Sequence, residues 1–576
     1  MEGTTKLHWA DICVLSAVLV VSSIIGLFYA VKARRQSAED ILVGKKTLPV
    51  LPVIFSLCVS FVSAVSILGM ASEVYSNGAD YWLVGFGYIW GIGLSGILVL
   101  PVFYRLNLTS AYEYLELRFN KPVRLMASFT YIFMMLCYMS VVIYAPALAL
   151  SSVTGLSTVI SILTMGLICT LYTGLGGIKA VIWTDVFQTL VITCGLLALI
   201  GRGTMEVGGV SEVVARVVNN SRDATYPMDL NPFIRHTFWT LTVGGGFGVM
   251  AISSANQAAL QRYLSVESLN KSRLVLLLNI PLTEFFLALM CLSGLVMFAY
   301  YQGRDPILNR RISTRDQLLP LFVMDIFGDL PGMTGLFIAC IFSAALSTVS
   351  SGINSLATVF VEDFLKPLLF KFIGRLPSPR AMSYIAIGTA LTFGLLTIGA
   401  SYLTGILSPT LITIVVSILG IFGGPLLGLM LIGLVCPWVN SWGAACALIS
   451  SLVICMWTAI GAITSYMPSP GSANITKITN ITLTDSWTVN SWYRLSYQHY
   501  ATLAVVVSLL VGSLVSCLTG CNKNRELPSG TFYDTLRPFR RNKKMANYDL
   551  VCKLPVLDGT HNGDQTLSQV EAEDRL

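Results

Sequence analysis

Charged side chains are scarce in this sequence. Only 12% of its 576 residues are Asp, Glu, Lys or Arg, while 54% are hydrophobic. Soluble globular proteins carry about 25% charged residues, so most of the surface of this chain is not suited to water. Apolar runs of at least ~18 residues, long enough to cross about 30 Å of hydrocarbon, recur along its length. The composition excludes an ordinary soluble protein and predicts an all-α membrane protein.

Residue types that usually build catalytic and metal sites are also poorly represented. The four histidines are predicted to lie near membrane edges or outside the spans, and the 13 cysteines form no Cys-x-x-Cys pair or Cys/His cluster. We therefore expect no enzyme activity and no cofactor. The net charge of +7 comes from Lys and Arg in loops and the tail, so no nucleic-acid partner is expected. No repeated filter loop of the kind used by channels is present.

Thirteen segments are predicted to cross the lipid bilayer. They lie near residues 9–31, 49–72, 83–104, 125–150, 157–176, 184–201, 239–260, 274–299, 333–361, 381–400, 407–434, 442–465 and 499–520. Most of the 37 Lys and Arg residues fall in loops on one side of this arrangement. The positive-inside rule makes that side cytoplasmic and predicts the N-terminus outside and the C-terminus inside.

This topology places three Asn-x-Ser/Thr sequons outside, at Asn219, Asn474 and Asn480. They are candidate glycosylation sites, although an ordinary polar loop gives the same pattern. The terminal residue, Leu576, could offer its side chain and carboxylate to a PDZ domain. The alternative is that this leucine is at the terminus by chance and has no binding role.

The chain divides into four predicted regions. They are a first span with its inner loop (1–48), a transport core (49–435) with halves at 49–201 and 239–435, two peripheral spans with a glycosylated outer loop (436–520), and a polar, disordered cytoplasmic tail (521–576).

Two spans are predicted to be broken. The second contains small and hydroxyl residues from Ser60 to Gly69, and the seventh contains the glycine run 244–248. Non-helical backbone survives at membrane depth only where it is buried or lines a cavity. The two spans are five apart and cross in opposite directions, as inverted five-helix repeats require. Such a pair points to a transporter site, whereas glycine-rich spans alone also serve close helix packing.

The ninth span carries a stripe of small and hydroxyl residues. Ala344, Ser347, Thr348 and Ser351 are spaced i, i+3, i+4 and i+7, so they share one helix face. This stripe could hold neighbouring helices together. It could instead bind sodium, because hydroxyl and carbonyl oxygens coordinate a hard monovalent cation without a permanent charge in lipid. The broken second span would supply the carbonyls.

The amino-acid sequences of several segments resemble those of the sodium/solute symporter family. The strings are ALSTVSSGINSLATVFVEDFLKP, GGIKAVIWTDVFQ, TSAYEYLELRFN, VVIYAPALAL, ANQAALQRY and GGPLLG, and they occur in family order over about residues 10–520. They are most similar to the branch of sodium-coupled monocarboxylate, multivitamin and iodide transporters. The resemblance implies a LeuT-like core of ten helices, spans 2–11, which alternates access around a midplane site.

The resemblance also implies which residues bind. Sodium would contact the hydroxyls of Ser347 and Thr348 and the carbonyls of Ala344, Val59 and Val62. The substrate or a second sodium would lie near Phe61, Ser63, Ser66, Tyr144, Val249 and Ser417. Iodide transporters tend to have a larger amide at the position of Ser66, which favours an organic anion here. The branch often has Trp at the position of Val249, so the pocket wall differs.

Two acidic residues in or beside the spans remain. Asp185 either caps the start of the sixth span or attracts and releases sodium on the inner side. Glu284 lies inside the eighth span, where acids are functional candidates, and either lines an inner vestibule or couples protons. No Lys or Arg is expected deep in a span, so sodium and helix N-termini would supply the positive field for an anion.

These observations predict a multi-pass plasma-membrane symporter that couples sodium to a small organic anion, a monocarboxylate or vitamin-like molecule. Its expected partners are sodium, the small solute and the lipid bilayer. A sugar, polyol or iodide symporter on the same scaffold is the alternative within transport, and a nutrient sensor on this scaffold is an alternative outside it.

Overall fold

Every regular element in the described part of the chain is helical, as the composition predicts. The structure is a computed structural model, and it describes residues 8–33, 44–154, 157–220, 228–312, 314–375, 377–405, 410–465 and 492–521. Asn474, Asn480, Leu576 and the tail from 522 onward lie outside the described residues.

Twenty α-helices follow one another along the described chain. The first ten are α1 (Trp9–Ala33), α2 (Val50–Val59), α3 (Ala64–Asn77), α4 (Val84–Leu94), α5 (Leu100–Leu106), α6 (Glu113–Arg118), α7 (Lys121–Thr154), α8 (Thr158–Val207), α9 (Val210–Asn219) and α10 (Gly245–Ala255). The others are α11 (Gln257–Leu264), α12 (Leu269–Tyr300), α13 (Leu318–Phe327), α14 (Met333–Val359), α15 (Lys366–Ile373), α16 (Pro379–Thr404), α17 (Leu411–Ile418), α18 (Gly424–Val435), α19 (Ser441–Ser465) and α20 (Tyr500–Leu518).

Ten helices in the described ranges are long and apolar enough to cross a membrane. The bent pair α2 and α3 would make an eleventh span. Two shorter apolar helices, Thr158–Leu171 and Thr240–Ala255, occupy the positions of two further predicted spans. The helical membrane architecture is confirmed, while the count of thirteen stays a prediction.

Predicted spans 5 and 6 are joined without a loop. The helix α8 runs through both, and only Gly177 within it has a non-helical backbone, with φ 64° and ψ −167°. Glycine takes this positive φ without the steric penalty that a Cβ would add. The two segments therefore meet at a kink of one residue.

The second span is broken where the sequence predicts it. The helices α2 and α3 meet at an angle of 56°, with Ser60 to Ser63 between them. Ser63 has an extended backbone, and its Oγ accepts a hydrogen bond from the Ser66 amide, which caps α3. The hydroxyl residues thus satisfy the new helix end inside the protein.

The glycines of the seventh span do not break it, contrary to the prediction. Gly244 and Gly245 have helical backbone angles, and the interruption falls at Asn256, whose extended backbone separates α10 from α11. Gly244, Gly245 and Gly246 instead allow close packing. A Cβ added at Gly246 would lie 2.1 Å from the Trp90 ring. Helix packing, the alternative explanation of the glycine run, is the correct one.

The helix α14 forms the centre of the molecule. In the most apolar stretch of 18 residues of this span, 94% of the stretch is buried inside the protein. The corresponding share for α1 is 17%. The helix α14 packs against α8, α7, α16 and α1. The hydroxyl stripe therefore lies where protein surrounds it on all sides.

Candidate functional site

The hydroxyl stripe on α14 lies against the break between α2 and α3. Ser60 Oγ, in the break, is 2.9 Å from Ser351 Oγ on α14. Ser351 Oγ donates a hydrogen bond to the Ser347 carbonyl at 2.7 Å. Thr348 Oγ1 donates to the Ala344 carbonyl at 3.1 Å. The structure brings together the two features that the sequence predicts to cooperate.

Ser347 has an available hydroxyl. Its side chain is fully buried, yet its Oγ makes no hydrogen bond of standard geometry within the described ranges. It interacts with the carboxylate of Asp185 on α8, whose Oδ1 also lacks a standard partner there. Buried polar atoms without partners cost free energy unless a ligand satisfies them. A cation would satisfy both oxygens at once.

A tyrosine connects the break to the stripe from a third helix. The hydroxyl of Tyr138 on α7 interacts with Ser63 in the break and with Thr348 on α14. The sequence analysis did not single out Tyr138, and no spacing pattern marks it. Tyr138 therefore contacts both halves of the candidate site.

The backbone carbonyls implied by the resemblance are suitably placed. Val59 is the last residue of α2, and Val62 lies inside the break. Both residues are buried. The last carbonyls of a helix have no partner within that helix, so the Val59 oxygen remains available to a ligand.

Asp185 lies inside a helix, so the capping role considered for it is wrong. Its Oδ2 accepts hydrogen bonds from Ser56 Oγ at 2.5 Å and from Arg262 Nη2 at 3.2 Å. Arg262 Nε donates to the same Ser56 hydroxyl at 2.8 Å, and Nη2 donates to Ser351 Oγ. Both charged residues are buried. An ion pair therefore lies next to the stripe.

Arg262 corrects a sequence-based expectation. The chain was expected to have no cation deep among its spans, because Arg262 falls near the end of an apolar segment. The break at Asn256 turns α11 inward, and the Arg262 side chain is 2% exposed. The ANQAALQRY string contains this residue, but only the tertiary structure shows its carboxylate partner.

A large cavity adjoins the break. About 1270 Å³ of space not filled by protein lies among its lining residues, a figure that includes open solvent. Its lining comes from nine helices: α2, α3, α4, α7, α10, α11, α12, α17 and α20. The lining residues within the described ranges include hydroxyl and amide side chains but no Asp, Glu, Lys, Arg or His. Such a site suits a small molecule with an apolar body and a few polar atoms.

The predicted substrate residues divide into two groups. Phe61, Ser66 and Val249 line the cavity, and Ser63 caps the helix that forms part of its wall. Tyr144 and Ser417 are not among the lining residues. Tyr144 packs within about 3.3 Å of the position that a Gly405 side chain would occupy, and Ser417 is half-buried on α17. The cavity is lined instead by Tyr138, on the same helix as Tyr144, and by Val416, the residue before Ser417.

Glu284 lies beside the cavity wall and not in it. A Cβ at Gly85 on α4 would be 2.4 Å from Glu284 Oε2, so the absence of a side chain there leaves room for the carboxylate. Its Oε1 is buried without a partner in the described part of the chain. Its neighbour Thr283 does line the cavity.

One rim of the cavity carries a charged cluster. Arg235 Nε and Nη2 donate to the two carboxylate oxygens of Glu73 at 2.9 and 3.1 Å. The Arg235 guanidinium lies 4.8 Å from the ring centre of Tyr497, a lining residue. Burial lowers the pKa of the adjacent His236 to about 4, so its ring is neutral at physiological pH. The cluster places the exposed arginine at the edge of the cavity.

The chain resembles known proteins over most of its length. The family model described as the sodium:solute symporter family matches residues 42–451. The sodium-dependent multivitamin transporter of Oryctolagus cuniculus is 42% identical over 554 residues, which cover 92% of this chain and 86% of that protein. Sodium-coupled monocarboxylate transporter 2 of Bos taurus is 40% identical, with 92% and 87% covered. The human sodium/iodide cotransporter is 38% identical, with 91% and 85% covered.

A solved structure shares the fold. It is that of a sodium-coupled sialic acid symporter in a substrate-bound outward-open state. The TM-score is 0.73 at 24% sequence identity, and the match covers 88% of this chain and 98% of that one.

Proposed function

Because the chain belongs to the sodium:solute symporter family, we propose that it moves a small organic anion, a monocarboxylate or a vitamin-like acid, together with sodium. The chain is a multi-pass membrane transporter and not an enzyme. Proteins 37–42% identical to it are named as sodium-dependent multivitamin, sodium-coupled monocarboxylate and sodium/iodide transporters. What we propose is the class of solute, a small organic anion. We also propose that the transporter resides in the plasma membrane.

One observation carries the sodium part of the proposal. The broken second span meets the hydroxyl stripe of α14, with Ser60 and Ser351 in contact at 2.9 Å. We propose that sodium binds between the carbonyls of Val59, Val62 and Ala344 and the hydroxyls of Ser347 and Thr348. This set supplies five neutral oxygens, next to the buried ion pair of Asp185 and Arg262.

The organic anion is supported by the lining of the cavity. The lining combines an apolar surface with hydroxyl and amide side chains, among them Ser66, Tyr88, Thr283 and Asn279. An apolar wall with few polar groups fits a short carbon chain that ends in a carboxylate. Because the lining residues carry no cation, sodium in the adjacent site would compensate the charge of the anion.

The remaining sequence-based assignments extend the proposal. We propose thirteen spans in an inverted-repeat arrangement that alternates access, with the N-terminus outside. In that orientation Arg235 faces the outer medium at the mouth of the cavity, where it would attract an anion. Asp185 would then lie on the inner route of sodium.

The test is radiolabelled uptake into proteoliposomes that contain the full chain. Lactate, nicotinate, biotin, iodide and glucose would each be supplied with and without an inward sodium gradient. We expect sodium to accelerate uptake of at least one organic acid, with no uptake into protein-free vesicles. The variant with Ser347→Ala and Thr348→Ala serves as a matched control that keeps the cavity but removes two sodium oxygens.

Three outcomes would contradict the proposal in different ways. Equal uptake of every solute without sodium would exclude a symporter. Uptake of glucose alone would indicate a sugar symporter on this scaffold. Uptake of iodide alone would indicate that the carbon-chain interpretation of the cavity is wrong.

A further inference from the structure

Two thiols lie together at the end of the last helix. Cys517 and Cys521 are four residues apart, and their Sγ atoms are 4.0 Å from one another. Cys517 is exposed and Cys521 is half-exposed. Nothing in the candidate transport site involves them.

The end of α20 is held in place by a neighbouring loop. Asn440 Nδ2 donates hydrogen bonds to Thr519 Oγ1 at 2.7 Å and to the Gly520 carbonyl at 3.1 Å. Gly520 ends the helix with φ 82°, a conformation that glycine favours. The two thiols are therefore presented from a fixed backbone.

An exposed apolar stripe leads along α20 to these thiols. Leu510, Leu514 and Leu518 are four residues apart, and they are 66%, 61% and 78% exposed. Cys517 follows Leu510 at a helical spacing of seven, so it continues the same face. Cys521 lies just past the helix end, with its Sγ next to that of Cys517. An acyl chain attached to either sulfur could lie along these leucines.

Two tryptophans indicate the depth of the thiols. Trp438 and Trp442 are 45% and 72% exposed, and Trp438 Nε1 donates to Ser513 Oγ on α20 at 3.2 Å. Tryptophans collect at the boundary between acyl chains and headgroups. Cys517 is about one turn beyond Ser513 and Cys521 lies just past the helix end, so both thiols would be near this boundary.

The charge of the following sequence agrees with a membrane surface. Lys523 and Arg525 follow Cys521 within four residues, and Arg540, Arg541 and Lys543 come later. Basic residues next to a lipid anchor add attraction to anionic lipids. Two other exposed cysteines, Cys13 and Cys194, are not followed by basic residues at a helix end. Cys13 lies near the start of α1, on the predicted outer side, and Cys194 lies inside α8.

We propose that Cys517 and Cys521 are S-acylated by long-chain fatty acids. Juxtamembrane cysteines are acceptors of this reversible modification. The Cys thiolate attacks the carbonyl carbon of a fatty acyl-coenzyme A, the sulfur–acyl bond of that donor breaks, and coenzyme A leaves as its thiol with the proton from the cysteine. Hydrolysis of the protein thioester reverses the step. The proposal rests on the proposed orientation, because the donor is cytoplasmic.

The test is acyl exchange on the full chain expressed in mammalian cells. Free thiols are blocked with N-ethylmaleimide, thioesters are cleaved with hydroxylamine, and the released thiols are coupled to a maleimide polymer that shifts the band. We expect two hydroxylamine-dependent shifts in the unaltered chain and one shift in Cys517→Ser or Cys521→Ser. The double variant should show none, and the matched control Cys13→Ser should keep both.

Three results would overturn the proposal. One is the absence of any hydroxylamine-dependent shift. Another is a shift that persists in the double variant. The third is a pair of cysteines that reacts only after reduction, which would identify a disulfide. Antibody access to a C-terminal tag before and after permeabilisation separates a wrong orientation from a wrong modification site. Sodium-driven uptake is measured in the same cells, so failure of the transport proposal is seen separately.

Discussion

The carboxylate of Asp185 and the guanidinium of Arg262 form a buried ion pair at 3.2 Å, although 77 positions separate them in the chain. Both also bond the hydroxyl of Ser56 at the base of the broken span. Two charges removed from water need each other, because either one alone would be left uncompensated.

We expect Arg262→Gln to destabilise the protein by about 3–5 kcal/mol, since it leaves Asp185 buried without its partner. The double variant with Asp185→Asn and Arg262→Gln should recover part of this loss, because no charge is then stranded. Thermal unfolding of the detergent-purified protein measures both. Arg304→Gln, an exposed arginine, is the matched control. A double variant less stable than the single one would contradict the pairing.

Replacing Ser347 and Thr348 together by alanine should raise the sodium concentration for half-maximal uptake by about 100-fold or more. Each lost contact to a charged group is worth about 1.5–3 kcal/mol. Sodium-dependent uptake in proteoliposomes measures the shift. Ser350→Ala removes a buried hydroxyl from the same helix outside the stripe and should leave sodium activation unchanged. Equal behaviour of the two variants would place the sodium site elsewhere.

Gly246→Ala should destabilise the protein by about 1–3 kcal/mol, because its Cβ would overlap the rigid ring of Trp90. Gly248→Ala is a matched control two residues along the same helix, where no heavy atom lies within 4 Å of the added carbon. It should be neutral or slightly stabilising, since alanine favours helix. Unfolding temperatures of the two variants give the comparison, and similar losses in both would argue against packing.

Stability should respond to the protonation of Asp316. Burial raises the pKa of this carboxyl to about 6, with the nearby Glu73 acting in the same direction, while the Leu411 amide and Arg315 oppose the rise. A raised carboxyl pKa favours the folded state at low pH, so this contribution is lost as pH rises from about 4 through about 6. At 1.36 kcal/mol per pKa unit the change is about 3 kcal/mol.

Asp316→Asn should flatten that part of the pH profile of the unfolding temperature. Its partner in the structure is the Leu411 amide at the start of α17, which donates to Oδ2 at 3.2 Å. Asp325→Asn, which changes an acid on the neighbouring helix α13, is the control. A profile with the same slope in the Asp316 variant and in the unaltered chain would show that another group titrates.

Glycosylation should map to the outer sequons. Asn219 is exposed at the end of α9, where an oligosaccharide would meet no neighbouring helix. Asn219→Gln, Asn474→Gln and Asn480→Gln should together remove the mobility shift that a glycosidase produces on the protein from mammalian cells. Asn270→Gln, a sequon predicted on the inner side, should not change it. A shift that survives the triple variant would reverse the assignment of sides.

Much of the fold could be predicted from the sequence because membrane helices depend on local composition. The apolar runs predicted the helices, and the hydroxyl residues around Ser60 predicted the break, since each signal is contained within a few turns of chain. The stripe from Ala344 to Ser351 was recognisable for the same reason. These features need no knowledge of which helices are neighbours.

The errors have a common physical origin. The glycine run was assigned to a break because glycine both weakens helices and permits close contact, and only the position of Trp90 decides between the two. Arg262 was placed in a loop because its partner Asp185 belongs to another helix. Tyr138 was missed because it acts through two distant hydroxyls. Each depends on tertiary neighbours that the local sequence does not specify.

The last helix has a consequence for how solute preference can change. Tyr497, Gln498 and Ala501 form part of the cavity wall, although they lie beyond the predicted transport core at 49–435. A chimera that exchanges only the segment from 492 to 521 with that of a relative would therefore alter the wall while leaving the sodium-binding helices intact. The solute preference can therefore change through substitutions in this segment, without any change in the residues proposed to bind sodium.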